Sequence, residues 1–265
     1  MILDCIDIKY LLLIGFEGMD ASYKETNSKR LFSFLKDDFF KEYIKENKMD
    51  IHYFSFPNYD SPSSYFVKQL LDGKYPDAGL DMVSYCYLMD MVDTLRDVVV
   101  DKPTIIVFDR YFYSQMYYLT KSIHNALRDY KNGTSYDELY EGFINHVLEL
   151  STHSCGLPKL NFLYKMYSDI ENMVEVIRKR KKEKDLDIYE ADIEYLRAVR
   201  EVFLSDKYIN KDKLRNTTGN PDNMYNIYVS NKDKERVWYD VKISIYNTLF
   251  NYKKMVDEYY EKKVE

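Results

Sequence analysis

The 265-residue chain has little of what breaks or staples a fold: eight glycines, six prolines, three cysteines and one tryptophan. So few glycines and prolines argue against long disordered linkers. Cys5, Cys86 and Cys155 lie far apart and form no Cys-x-x-Cys pair. Their odd number suggests no disulfide framework, and a reducing cytoplasm is the expected compartment. No apolar run approaches the ~20 residues that span a bilayer, and Asp4, Asp7 and Lys9 interrupt the first segment where a secretory signal would be apolar. A basic excess is also missing. The formal net charge of −6 argues against a general nucleic-acid binder while leaving room for a local basic site for a small phosphorylated ligand. The four histidines, His52, His124, His146 and His153, show no metal-ligand spacing with cysteine, and there is no G-x-S-x-G nucleophile motif.

What is present suffices for one large core. Hydrophobic residues make up 46% of the chain, and a single domain spanning 1–265 is expected. The 28 tyrosines, with many lysines and asparagines, read as the codon bias of an AT-rich genome. Five short β-rich runs recur: 11–14, 51–56, 104–108, 160–166 and 225–229. Helical patterns separate them, at 26–45, 83–99, 136–150, 171–187, 186–205 and 236–260. Near-continuous apolar strands alternating with helices predict an α/β fold with a five-stranded parallel sheet covered on both faces. Segment 210–223 reads as a polar, exposed loop. In such sheets ligands bind at the carboxyl ends of the strands.

Each of the first three strands is followed by residues suited to a nucleotide. After the first comes Gly18-Met19-Asp20-Ala21-Ser22-Tyr23-Lys24-Glu25-Thr26, against the pattern G-x-x-x-x-G-K-[ST]. Gly18 and Lys24 match. Lys24 can neutralise β- and γ-phosphate oxygens, and the loop amides and the helix N-terminus can face them. Tyr23 stands where the second glycine belongs, a position that calls for φ > 0 or close backbone approach. Glu25 replaces the Mg²⁺-binding hydroxyl, and its carboxylate is itself a hard ligand. The same residues also fit an ordinary strand-to-helix turn. After the third strand comes Asp109-Arg110-Tyr111, suited to a metal-linked water and a phosphate, or to a surface ion pair. After the second comes Phe56-Pro57-Asn58-Tyr59-Asp60-Ser61-Pro62, which can wall a base pocket or form a rigid turn. The basic run from Arg178 to Lys184 fits either a helical lid or a solvated helix face.

Together and in this order, these segments resemble the thymidylate kinase family over about residues 10–250. The similarity is carried by Phe16-Glu17-Gly18-x-Asp20, by Phe56-Pro57-Asn58-Tyr59-Asp60-Ser61-Pro62-Ser63-Ser64, and by Asp109-Arg110-Tyr111-x-x-Ser114. Gly156-Leu157-Pro158-Lys159 and Asp187-Ile188-Tyr189-Glu190-x-Asp192-x-x-Tyr195-Leu196 add to it. The resemblance implies a P-loop kinase fold with a lid at about 171–190. It also implies ATP and Mg²⁺ as cofactors, small nucleotides as the only substrates, with neither nucleic acid nor membrane as partner, and a homodimer. It would give Gly18, Ala21, Ser22, Tyr23, Lys24, Glu25 and Thr26 to the donor phosphates, and Asn231 to the donor adenine. Glu25 and Asp109 would hold the metal. Asp20 would reach the acceptor's 3′-hydroxyl, and Arg110 its phosphate. Phe56, Pro57, Tyr59, Tyr111 and Ser114 would line the acceptor pocket, with Tyr87 against the base. Lys24, Asp109, Arg110 and the lid arginines Arg178 and Arg180 would carry catalysis. Met91 departs from the family's Asp-Arg pair, and a thioether cannot read a base carbonyl. The implied reaction is phosphoryl transfer from ATP to a pyrimidine deoxynucleoside monophosphate, dTMP first and dUMP second. An inactive nucleotide-binding or protein-interaction module, or a kinase for another nucleotide or a nucleoside, are the alternatives.

Overall fold

The computed structural model describes residues 4–5, 8–118, 136–180, 192–204, 224–230 and 232–264. The strands are β1 (Asp4–Cys5), β2 (Leu11–Gly18), β3 (Asp50–Ser55), β4 (Val99–Val100), β5 (Thr104–Asp109), β6 (Phe162–Tyr167) and β7 (Met224–Tyr228). The helices are α1 (Lys24–Phe34), α2 (Lys41–Lys45), α3 (Tyr65–Leu71), α4 (Leu80–Leu95), α5 (Tyr113–Tyr118), α6 (Tyr136–Glu149), α7 (Ile170–Arg180), α8 (Ile193–Leu204) and α9 (Lys234–Val264). Five strands form the expected parallel sheet, in the order β3-β5-β2-β6-β7, and β1 pairs with β4 in a separate two-residue ladder that the sequence did not announce.

Strand periodicity sorts the core into two layers. Leu11, Leu13, Ile106, Phe108 and Leu163 point to one face, where they pack with α4, α5, α6, α7 and α8. Leu12, Ile14, Phe16, Ile105, Val107, Phe162, Tyr164 and Met166 point to the other, against α1 and α9. Helix α9 supplies Val237, Val241, Ile245, Leu249, Tyr252 and Val256, an apolar stripe at helical spacing. Central strand β2 is buried at all eight positions, which explains its unbroken apolar start.

Three boundaries differ from the sequence expectation. The first strand runs on through Gly15, Phe16, Glu17 and Gly18, because β5 and β6 pair with it there despite the loss of apolar character. The single helix expected over 26–45 is broken. A π-helical turn at Leu35–Phe39 ends with the Phe40 amide donating to Leu35 O at 2.9 Å, which lets both Leu35 and Phe40 enter the core. Helix α4 stops at Leu95, freeing Val99–Val100 for the short ladder. The 210–223 segment, most of the expected lid beyond Arg180, and Asn231 lie outside the described residues. Among the described residues no helix is long and apolar enough to cross a membrane. Cys86 and Cys155 are free thiols.

Candidate active site

The carboxyl ends of β2, β3 and β5 lie in register: Phe16 and Ser55 both pair with Asp109. This edge collects part of the sequence-predicted set: Gly18, Asp20, Lys24, Phe56, Asp109, Arg110 and Tyr111. The loop after β2 starts at Gly18, where a side chain has no room: a Cβ would stand 2.6 Å from Met166 O and 2.6 Å from Ser22 Oγ. The Met19 amide donates to Met166 O at 3.2 Å. Ser22 folds back on Met19 O through its amide at 3.3 Å and its hydroxyl at 2.7 Å.

Tyr23 caps α1 at φ 62°, ψ 15°, and Ala21 sits at φ 60°. Both are left-handed without being glycine, a conformation that costs roughly 1–2 kcal/mol per residue. The backbone thus takes positive φ at position 23, where a P-loop has glycine, even though the side chain opposes it. Two bonds to the Tyr23 carbonyl hold the turn: Asn27 Nδ2 at 2.8 Å and the Asn27 amide at 3.0 Å. The Tyr23 ring packs against the apolar layer shared by α1 and α9. The first turn of α1 then presents amides that a helix leaves unpaired.

Lys24 is buried, and its Nζ lies 3.3 Å from Asp20 Oδ1. Asp20 Oδ1 also accepts from Arg110 Nη2 at 2.6 Å, so one carboxylate bridges both cations. Burial holds the Lys24 ammonium below its ordinary pKa, and Arg110 adds to the effect. Arg110 is also left-handed, at φ 65°, and its amide donates to Phe16 O at 3.0 Å. Asp109 is 5% exposed. Ser55 Oγ donates to its Oδ2 at 3.4 Å, while buried Oδ1 has no hydrogen-bond partner among the described residues. Burial raises the Asp109 pKa, against the pull of Lys24 and Arg110.

The acceptor-side residues divide. Phe56 and Tyr111 are buried, their rings close to each other and both against Phe108. The Phe56–Pro57 bond is cis, and the Phe56 amide donates to Asp109 O at 3.0 Å. Met91 is buried in the same layer, with Tyr87 half-buried against it. Tyr59 is exposed, and its carbonyl accepts from Lys68 Nζ at 2.5 Å. Glu25 is exposed and pairs with Lys29 at 2.6 Å, and Thr26 is half-buried beside it. Arg178 is exposed near the end of α7, and Arg180 is that helix's last residue. The described contacts do not bring Arg178 to the Lys24–Arg110 group.

Two acids escaped the sequence-based site. Glu17 is fully buried. Its Oε1 accepts the Tyr111 amide at 2.7 Å, and its Oε2 accepts from Ser114 Oγ. Burial pushes its carboxyl up to about 7, opposed by Ser114 and Arg110. Asp90 accepts from the Asn58 amide at 2.7 Å and from Ser63 Oγ at 3.0 Å, fixing the loop after β3 to α4. An acid ending a buried apolar strand was the available signal for Glu17, and the Asp90-Met91 pair was the signal for Asp90.

A glycine-started loop at the end of the central strand, a buried lysine opening the next helix and an Asp-Arg turn on the neighbouring strand define a P-loop kinase fold. No family model matches the chain. Its fold is that of the thymidylate kinases. The solved structure of thymidylate kinase from Candida albicans, which is described as having broad substrate specificity, aligns with a TM-score of 0.54 over 89% of this chain and 92% of that one, at 20% identity. In sequence, the chain is 30% identical over 105 residues to "Putative thymidylate kinase 251L" of Invertebrate iridescent virus 6. That match takes in 39% of this chain and 45% of the viral protein, so the alignment spans about half the length of this curated relative.

Proposed function

We propose that the chain is a nucleoside monophosphate kinase of the thymidylate kinase type. It moves the γ-phosphate of ATP to a pyrimidine deoxynucleoside monophosphate, dTMP first and dUMP second. The observation that carries this reading is the Asp20 carboxylate bridging Lys24 and Arg110 at the sheet edge, 3.3 and 2.6 Å away. Lys24 is the donor-phosphate cation and Arg110 the acceptor-phosphate cation. Asp20, between them, holds both in place and is available to the acceptor's sugar. Such a site works by position and charge, with no covalent intermediate.

The residues fit ATP and Mg²⁺. A buried lysine and the opening amides of α1 suit phosphate oxygens, and the unpartnered Asp109 Oδ1 suits a metal or its water. Among the described residues no group of three or more His, Cys, Asp or Glu side chains can hold a metal alone. Mg²⁺ would therefore be shared with phosphate oxygens, as is usual for this hard cation. Asp109 would hold it, and Glu25 would join only by giving up Lys29. When bound, the ion would neutralise charge developing on the phosphates. Pro57, Tyr59, Tyr87, Tyr111 and Ser114 would border the acceptor. The lid arginines and Asn231 would complete the donor side, in a homodimeric cytoplasmic enzyme. Buried Met91 offers no hydrogen bond to a base, so the choice between dTMP and dUMP is expected to be loose.

The test is ADP formation by purified protein with ATP and Mg²⁺, with dTMP, with dUMP and without acceptor. Acceptor-dependent ADP supports the kinase. No turnover by folded protein favours the second reading, an inactive nucleotide-binding module. The observations that favour this reading are Tyr23 in a strained φ and Glu25 paired away with Lys29.

A further inference from the structure

We infer that Glu17 is a positioning residue for the acceptor phosphate, acting through the backbone of Arg110; the inference rests on the kinase reading above. Two consecutive β2 residues grip the turn after β5. Phe16 O accepts the Arg110 amide at 3.0 Å, and Glu17 Oε1 accepts the next amide, that of Tyr111, at 2.7 Å. The residue between these two bonds is Arg110, at φ 65°. For a residue with a long side chain this conformation persists only when its surroundings impose it. The second carboxylate oxygen takes the hydroxyl of Ser114, in the first turn of α5. Glu17 therefore fastens both the turn and the following helix to the strand from which the P-loop departs.

Replacing Glu17 would strand two groups. The Tyr111 amide would lose its acceptor where Tyr111 and Glu17 are both fully buried, and the half-buried Ser114 hydroxyl would lose its own. The cheapest relief is for the turn to leave its left-handed conformation, which swings the Arg110 guanidinium off Asp20. The P-loop cation would be spared, because Lys24 reaches the same Asp20 oxygen from α1 and not from the turn after β5. Loss of Glu17 should thus weaken the acceptor and leave ATP nearly untouched. A residue that merely supports the fold would lower the active fraction without separating the two substrates. Arg110 and Asp109 at the end of β5 and Tyr113 on α5 act on the carboxyl, and Lys165 is the register partner of Glu17 on β6.

The experiment is steady-state kinetics of the wild type, Glu17→Ala and Glu17→Gln, varying dTMP and ATP separately, with thermal melts of each. Glu17→Ala should raise KM for dTMP by about tenfold or more with KM for ATP within about twofold. Glutamine can accept from the Tyr111 amide and donate to Ser114, so Glu17→Gln should restore KM for dTMP to within about threefold of wild type. If Glu17→Ala does not fold, Glu17→Asp, which withdraws the carboxylate by one methylene, should show the same selective rise. Equal changes in both KM values, or a fall in kcat alone, overturn the inference while leaving the kinase reading standing. A wild type without acceptor-dependent turnover overturns both.

Discussion

Lys24 is the residue on which most rests, and its burial tells how it works. A lysine almost wholly out of water beside the Asp20 carboxylate suits the proposed role of donor-phosphate cation. Lys24→Ala should lower kcat by about a thousandfold or more, with circular dichroism and melting unchanged apart from a small shift. Full activity in that variant would remove Lys24 from the mechanism. Glu17 gives a second prediction, in stability. Its carboxyl has an ordinary value of 4.5 and is pushed up to about 7 by burial. The folded state therefore binds this proton more tightly than the unfolded state. The group's contribution is greatest below about pH 4.5 and is lost as pH rises through about 7, by at most ~3.5 kcal/mol at ~1.4 kcal/mol per pH unit. Glu17→Gln, which stays neutral, should melt higher than wild type at about pH 8 and converge with it near pH 5. A constant offset across that range would show that the carboxyl does not titrate in this window. Lys24 was legible in the sequence because its motif is local. Glu17 was not, since its partners lie 94 and 97 residues away and an acid after an apolar run reads equally well as a strand end reaching solvent.

At the scale of elements, the loop between β2 and α1 shows backbone geometry prevailing over side-chain preference. Motif spacing singled out position 23 as one that wants φ > 0, and it has φ 62°. Position 21 shares the left-handed conformation at φ 60°, which no glycine spacing flagged. Neighbouring elements hold the loop: Met166 O on β6 takes the Met19 amide, and Asn27 on α1 takes the Tyr23 carbonyl. Glycine at 23 would relieve roughly 1–2 kcal/mol of strain but would lose the ring's packing against the α1–α9 layer. Threonine at 25 would restore the hydroxyl a metal commonly meets at that point of a P-loop. Tyr23→Gly combined with Glu25→Thr should therefore tighten ATP binding by about tenfold at little net change in melting temperature, measured by calorimetry with Mg²⁺ present. Unchanged affinity would mean that the present loop already binds as well as its geometry allows. The break at Phe40 was hidden from the sequence for a related reason. The run from Thr26 to Lys45 is uniformly helix-forming, and only the need to bury Leu35 and Phe40 together decides where it turns.

Across the whole molecule, the sheet and its two layers were legible because five apolar runs alternate with amphipathic helices. What the pattern could not show is which apolar side chains stay outside. Helix α4 exposes Met82, Tyr85 and Met89, 40%, 49% and 58% accessible, at the i, i+3, i+7 spacing of one face. Helix α3, packed beside it, exposes Tyr65 and Phe66. An exposed apolar stripe of this kind on a chain of net charge −6 is more economically covered by another apolar face than by solvent. The homodimer implied by the family resemblance is expected to use it. In a two-fold dimer each substituted residue meets the same patch of the other copy, so introduced charges repel. Tyr85→Glu with Met89→Glu should convert the dimer to a monomer of 31.9 kDa in sedimentation velocity, with the fold retained. A monomeric wild type would refute the dimer. A wild-type dimer that survives the double substitution would move the interface to the other exposed apolar stripe, Tyr239, Ile243, Tyr246 and Phe250 along α9. The two stripes lie on opposite faces of the sheet, and only the α4 stripe shares its helix with Tyr87 and Met91. Dimerisation there would bear on the acceptor side proposed above, whereas dimerisation through α9 would leave it alone.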